Sequence, residues 1–117
     1  MDDNKSFLDV ARSLLERGGL RVVGVATSTA EALRSAEQLR PDVVLVDIVL
    51  AGESGFELAR RLAEHEEGGG PAAILISTHA EEDFAELITE SPATAFLPKS
   101  ELSADAVRRA VGGGSGR

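Results

Sequence analysis

Three short apolar runs, each ending on a polar residue, constrain this chain more than any other feature. Val43-Val44-Leu45-Val46 leads into Asp47, Ile74-Leu75-Ile76 into Ser77, and Phe96-Leu97-Pro98 into Lys99. Runs this short and continuous read as strands buried on both faces, since a half-exposed strand would alternate. Segments with apolar residues at helical spacing separate them. Strand and helix in alternation predict an α/β fold with a doubly wound parallel sheet. In such a sheet a site forms outside the carboxyl ends of the strands. Asp47, Ser77 and Lys99 each stand at such an end, and Asp2-Asp3 stand just before the first helix. Three carboxylates, a hydroxyl and an ammonium meeting there would make a divalent-metal and phosphoryl site, with Asp47 as acceptor.

Periodicity and punctuation place the other elements. A helix is expected over 5–17, with Phe7, Val10, Ala11 and Leu14 on one face and Gly18-Gly19 ending it. A valine-rich strand over 20–26 follows. Ser28 with Glu31 reads as a capping box for the next helix, which Pro41 closes. A helix over 55–66 puts Phe56, Ala59, Leu62 and Ala63 on one face. The run 68–71, Gly-Gly-Gly-Pro, is a loop and not a phosphate-binding one: it follows a helix, precedes a strand and lacks the Lys-Ser/Thr pair. Beyond it come a strand over 73–77, a helix over 81–91 ended by Pro92, a strand over 95–97 and a helix capped by Ser103 and reaching 111. Residues 1–111 form one domain in this reading, and 112–117 a disordered Gly-rich tail.

Charge and composition exclude several classes. The 117 residues suit a single core. Asp and Glu outnumber Lys and Arg by 20 to 12, a net charge of −8, which opposes a nucleic-acid surface. With no cysteine there is neither a disulfide framework nor a thiolate metal site. No apolar run approaches the ~20 residues that span a bilayer, and the acidic start lacks the basic region of a signal peptide. The expected location is the cytoplasm, with no nucleic-acid or membrane partner.

The acidic pair, Asp47, Gly55 eight residues later, Ser77 thirty residues after Asp47 and Lys99 fifty-two after it form an ordered set. In that set, from residue 2 to about 111, the chain resembles the receiver domain of two-component response regulators. The resemblance implies a flavodoxin-like sheet of strand order 2-1-3-4-5. It also implies Mg²⁺ held by Asp2, Asp3, Asp47 and the backbone carbonyl of Val49. Asp47 would be the phosphoacceptor, Ser77 and Lys99 would contact the phosphoryl group, and Phe96 would be the switch aromatic. Val49 and His79, two residues after the acceptor and two after the hydroxyl, would set the lifetime of the acyl phosphate. Val49 cannot orient an attacking water, so slow loss is expected. A histidine kinase or phosphotransfer protein would supply the phosphoryl group and a downstream protein effector would read it. A homodimer through the last two helices is a further expectation.

The chain departs from the family pattern in three places. Ser100 follows Lys99 where the family has proline, and Thr78 stands where Ala or Gly is usual, narrowing access to Asp47. Only Met1 precedes the acidic pair, so the first, central strand is absent or truncated. Its loss would open a gap of roughly 10 Å and cost about 6–15 kcal/mol of burial, comparable to a whole domain's stability of ~5–15 kcal/mol. Either the start is misplaced, a valine of that strand being read as Met1, or the truncation is genuine. Two other functions stay open: a degenerate receiver acting as a phosphorylation-independent scaffold, and an aspartyl-phosphate metal-dependent phosphohydrolase. Against the second, Val49 stands where a second Asp belongs. Asp2-Asp3 could also be no more than an acidic cap for the first helix.

Overall fold

A computed structural model describes residues 1–2, 4–50, 53–65, 71–79 and 81–113. Helices α1 (Lys5–Arg17) and α2 (Thr29–Leu39) precede strand β1 (Val43–Asp47). The short strands β2 (Val49–Leu50) and β3 (Glu53–Ser54) pair antiparallel and lead into α3 (Gly55–His65) and β4 (Ala72–Ser77). A 3-10 turn at Glu81–Phe84, α4 (Ala85–Glu90), β5 (Ala95–Pro98), a second 3-10 turn at Lys99–Glu101 and α5 (Ala104–Gly113) complete the order. Strands β1, β4 and β5 form a parallel sheet in that order, with Val46 opposite Leu75 and Leu75 opposite Phe96.

The helix ends follow from local chemistry. The Ser28 hydroxyl accepts from the Glu31 N–H at 3.2 Å, while the Glu31 carboxylate accepts from the Thr27 N–H at 2.7 Å, which closes the expected capping box one residue further out. Arg40 turns left-handed at φ 47° to end α2 before Pro41. After α1 the left-handed position is Gly19, at φ 94°. The N-cap of α1 is Asn4, whose side chain accepts from the Phe7 N–H at 3.2 Å. Asp2 is therefore not the helix cap.

Alternate residues of β4 build two cores, one on each face of the sheet. Ala73 and Leu75 pack with Val46, Leu58, Ala59 and Leu62, beneath α2 and α3. Ile74 and Ile76 pack with Ala11, Leu15, Leu102 and Val107, beneath α1 and α5. Helices on both faces of a parallel sheet make this the doubly wound, flavodoxin-like fold. The buried stripe of α1 is Leu8, Ala11 and Leu15, while Val10 is 64% and Leu14 39% exposed. Both stripes satisfy 3–4 spacing around Ala11. The one that faces β4 and α5 is buried, one residue on from the expected face. The expected helix over 81–91 divides into the 3-10 turn and α4, and α4 buries no residue.

Residues 20–26 belong to no strand ladder. A strand needs a partner on at least one side, and between these residues and β1 lie Met1 and Asp2. The Met1 amine donates to the Leu45 carbonyl at 2.5 Å, the Asp47 N–H donates to the Met1 carbonyl at 3.0 Å, and the Asp2 N–H donates to the Ala26 carbonyl at 3.1 Å. Met1-Asp2 thus bridges the two sides in parallel, as the last residues of a central strand would. Below it a cavity of about 510 Å³ separates 20–26 from β1. Val23 and Val25 are each 43% exposed in consequence. Of the expected order 2-1-3-4-5 the described residues form the last three strands as a parallel sheet, with Met1-Asp2 and residues 20–26 beside β1 but outside any ladder.

Candidate functional site

The stub, β1, β4 and the end of β5 converge at one end of the sheet. Asp2 is 1% exposed, Asp47 5% and Ser77 1%, an unusual depth for such side chains. Lys99, at the start of the turn after β5, answers that burial. Its Nζ donates to Asp2 Oδ2 at 2.5 Å and to Asp47 Oδ2 at 3.1 Å. The remaining oxygens are also satisfied: Asp2 Oδ1 accepts from the Asn4 N–H at 2.9 Å, and Asp47 Oδ1 from the Val49 N–H at 3.0 Å. This ion triad is nearly dry. The exposed Arg60 pairs on α3, with Glu57 and Glu64, are by contrast half open to water.

The electrostatics follow from burial and proximity. Burial, with the nearby Asp2 charge, pushes the Asp47 carboxyl above its ordinary value, against the Lys99 ammonium and the Val49 N–H. Burial alone would lower the Lys99 ammonium, but the two carboxylates outweigh it and raise Lys99 above its ordinary value. Burial lowers the Met1 amine to about 6. Near neutral pH the amine is then mostly uncharged, and two carboxylates against one ammonium leave the site net negative.

The other expected residues fall around this centre. Ser77 ends β4, beside β1, and its hydroxyl accepts from the His79 N–H at 2.9 Å. His79 Nδ1 lies 3.4 Å from the same hydroxyl, and its ring meets Phe84 edge-on at 5.7 Å. Phe84 in turn lies 6.1 Å from Phe56 on α3. Phe96 is half-buried against the core beneath α3, Val49 is 50% exposed, and Thr78 is exposed beside Ser77. Gly55 is forced by proximity: a Cβ there would collide with the Asp47 carbonyl. Asp3, expected among the metal ligands, lies outside the described residues. Among the described residues no group of three Asp, Glu, His or Cys gathers for a metal. The oxygen-only, net-negative pair Asp2 and Asp47 nevertheless suits a hard cation. Two contributors escaped the sequence reading: Met1, whose backbone ties Asp2 into the sheet, and Phe7, whose ring lies 4.3 Å below the Lys99 ammonium.

The profile of the response regulator receiver domain matches residues 1–111. The chain belongs to that family. Receivers are the phosphorelay modules of two-component systems, and aspartyl phosphate and Mg²⁺ are standard to them. A two-component response regulator of the LuxR family from Aurantimonas sp. SI85-9A1 superposes with a TM-score of 0.83 at 28% identity, over 99% of this receiver and 82% of that chain. A response regulator from Burkholderia pseudomallei, solved with a phosphorylated aspartic acid, a calcium ion and citrate, superposes at 0.78 and 25% identity, over 93% of this receiver and 62% of that chain. A protein-glutamate methylesterase/protein-glutamine glutaminase of Hahella chejuensis is 32% identical over 86% of this receiver. The receiver spans 29% of that relative and 54% of another, so it corresponds to one module of longer proteins. No helix among the described residues is long and apolar enough to cross a membrane.

Proposed function

We propose that this receiver, residues 1–111, is a cytoplasmic switch that accepts a phosphoryl group on Asp47 from a histidine kinase or a phosphotransfer protein. One observation carries the reading: Lys99 Nζ bonds the buried carboxylates of Asp2 and Asp47 together, at the strand ends where Ser77 also sits. In the transfer an Asp47 oxygen attacks phosphorus, the bond from phosphorus to the donor's imidazole nitrogen breaks, and the imidazole leaves with its electron pair. Mg²⁺, held by Asp2 and Asp47 with Asp3 and the Val49 carbonyl completing the family pattern, would supply charge compensation for the phosphoryl oxygens.

The chain's own groups do the rest. Raised basicity, caused by burial, makes Asp47 a better nucleophile than an exposed aspartate. Lys99 neutralises part of the added charge of about −1.5 to −2. The Ser77 hydroxyl donates to a phosphoryl oxygen, giving up its geometry with His79. That contact leads through Phe84 to the start of α4, which buries no residue and is therefore inexpensive to move. Phe96 and the face of α4, β5 and α5 would carry the change to a protein effector or to a second copy. Val49 leaves the attacking water unheld and Thr78 crowds its approach, so the phosphoryl group is expected to persist, with His79 the residue that modulates its loss.

Labelled acetyl phosphate with Mg²⁺ tests the proposal. The expected product is one base-labile phosphoryl group per chain, absent from Asp47→Asn. Labelling that survives in that variant would refute the aspartyl mechanism. The scaffold reading predicts no labelling of the unmodified chain at all.

A further inference from the structure

We propose that Phe7 is a positioning residue for Lys99: its ring face holds the ammonium beside Asp47 when a divalent cation draws the carboxylates away from it. The inference deepens the phosphoryl reading and rests on it. It starts from the donors of the lysine. An ammonium has three, of which Asp2 Oδ2 and Asp47 Oδ2 accept two, at 2.5 and 3.1 Å. The Phe7 ring is the third partner, its centroid 4.3 Å from Nζ. A ring quadrupole attracts a cation within about 6 Å, most strongly where water is kept out. The Lys99 side chain is only 13% exposed, so little water competes with the ring.

Both ends of the contact are anchored. Asn4 caps α1 by accepting from the Phe7 N–H at 3.2 Å, and Phe7 packs against the core of Ala11, Leu15, Ile74 and Ile76. Lys99 opens the turn Lys99–Glu101, and the Leu102 N–H donates back to its carbonyl at 3.3 Å. Between the anchors runs a flexible four-carbon stem. Without metal, two carboxylates alone would hold its tip. A hard cation binds those same oxygens, and each bond they give it weakens their hold on the ammonium. The ring offers a hard cation no oxygen, so its attraction for Lys99 survives. Lys99 then stays where a phosphoryl oxygen needs it and does not swing out to water. Only the fraction of chains with the ammonium in place transfers at full rate. A leucine would fill the same space against the core but would not attract the charge.

The test is a series of chains with one, two or three fluorines on the Phe7 ring, which keep its shape and progressively cancel its quadrupole. Phe7→Leu accompanies the series. Two readouts are taken: the proton shift of the Lys99 ε-methylene, with and without Mg²⁺, and the rate of labelling by acetyl phosphate with Mg²⁺. In the unmodified chain the methylene should lie upfield under the ring current and stay there at saturating Mg²⁺. The labelling rate should fall stepwise along the series, ending about two- to thirtyfold below the unmodified chain for three fluorines and for Phe7→Leu. Loss of the upfield shift when Mg²⁺ binds the unmodified chain would overturn the proposal. Equal rates across the fluorinated chains would do the same and make Phe7 a packing residue only. A rate that rises with fluorine would also overturn it, since the ring would then be holding Lys99 back. If the unmodified chain takes no label at all, the phosphoryl reading fails and this inference with it; labelling that ignores the series refutes this inference alone.

Discussion

Lys99 is the residue on which the site's electrostatics turn, because among the described residues its ammonium is the side-chain cation paired with two carboxylates that are almost wholly buried. Breaking a buried ion pair from one side leaves an uncompensated charge and costs about 3–5 kcal/mol. Lys99→Met keeps most of the volume and removes the charge, so a loss of that order is expected in urea denaturation at pH 7 without metal. The sign with pH is set by Asp47. Its carboxyl is already raised by burial and would rise further without the ammonium. A raised carboxyl favours the folded state below its ordinary value of 3.8 and loses that contribution as pH rises through the folded value. The deficit of Lys99→Met should therefore be small below about pH 4 and large at neutrality; a deficit independent of pH would place its cause in packing. The Met1 amine behaves in the opposite sense. Lowered from 8.0 to about 6, it contributes stability above pH 8 that is lost as pH falls through 6. This chain should lose on the order of 2–3 kcal/mol between pH 8.5 and 5.5, and amino-terminal acetylation should flatten that slope.

Among the elements, the turn from β1 into α3 and the helix α4 differ most in how they are held. Gly55 packs against the Asp47 carbonyl, and its N–H donates to Ile48 at 3.0 Å. Gly55→Ala must push that backbone aside. A cost of about 1–3 kcal/mol is expected, together with slower labelling from acetyl phosphate, since the displaced residue is the proposed acceptor. By contrast α4 should show the fastest amide exchange of the longer helical segments, and α3, with Leu58, Ala59 and Leu62 at most 1% exposed, among the slowest. These elements were unequally legible in the sequence. Helices α1 and α2 and strands β1 and β4 follow from caps, glycines and unbroken apolar runs, because those signals act locally. The face of α1 was off by one residue, since Ala11 belongs to two overlapping stripes and only the packed sheet chooses between them. The strand expected over 20–26 is not formed, because pairing depends on a neighbour that no local pattern can supply.

On the scale of the whole molecule, the doubly wound arrangement brings residues 2, 47, 77 and 99 to one end of the sheet. That convergence was legible because each polar residue follows directly on its strand, and strand direction in a parallel sheet then assigns them all to one end. What the spacing could not convey is how Asp2 is tied to the sheet. The backbone of Met1 and Asp2 bonds Leu45 and Asp47 on one side and Ala26 on the other, which fixes Asp2 beside β1. A version extended before Met1 by apolar residues should fill the cavity beside β1 and show a higher denaturation midpoint; equal midpoints would mean that the cavity costs little. The central claim, that this end of the sheet serves phosphoryl transfer to Asp47, is tested most directly by where the phosphoryl group goes. After reaction with acetyl phosphate and Mg²⁺, borohydride reduces an aspartyl phosphate to homoserine, which mass spectrometry of the digested chain can locate. The predicted result is homoserine at position 47 and nowhere else; an unmodified Asp47, or modification confined to another residue, would contradict it.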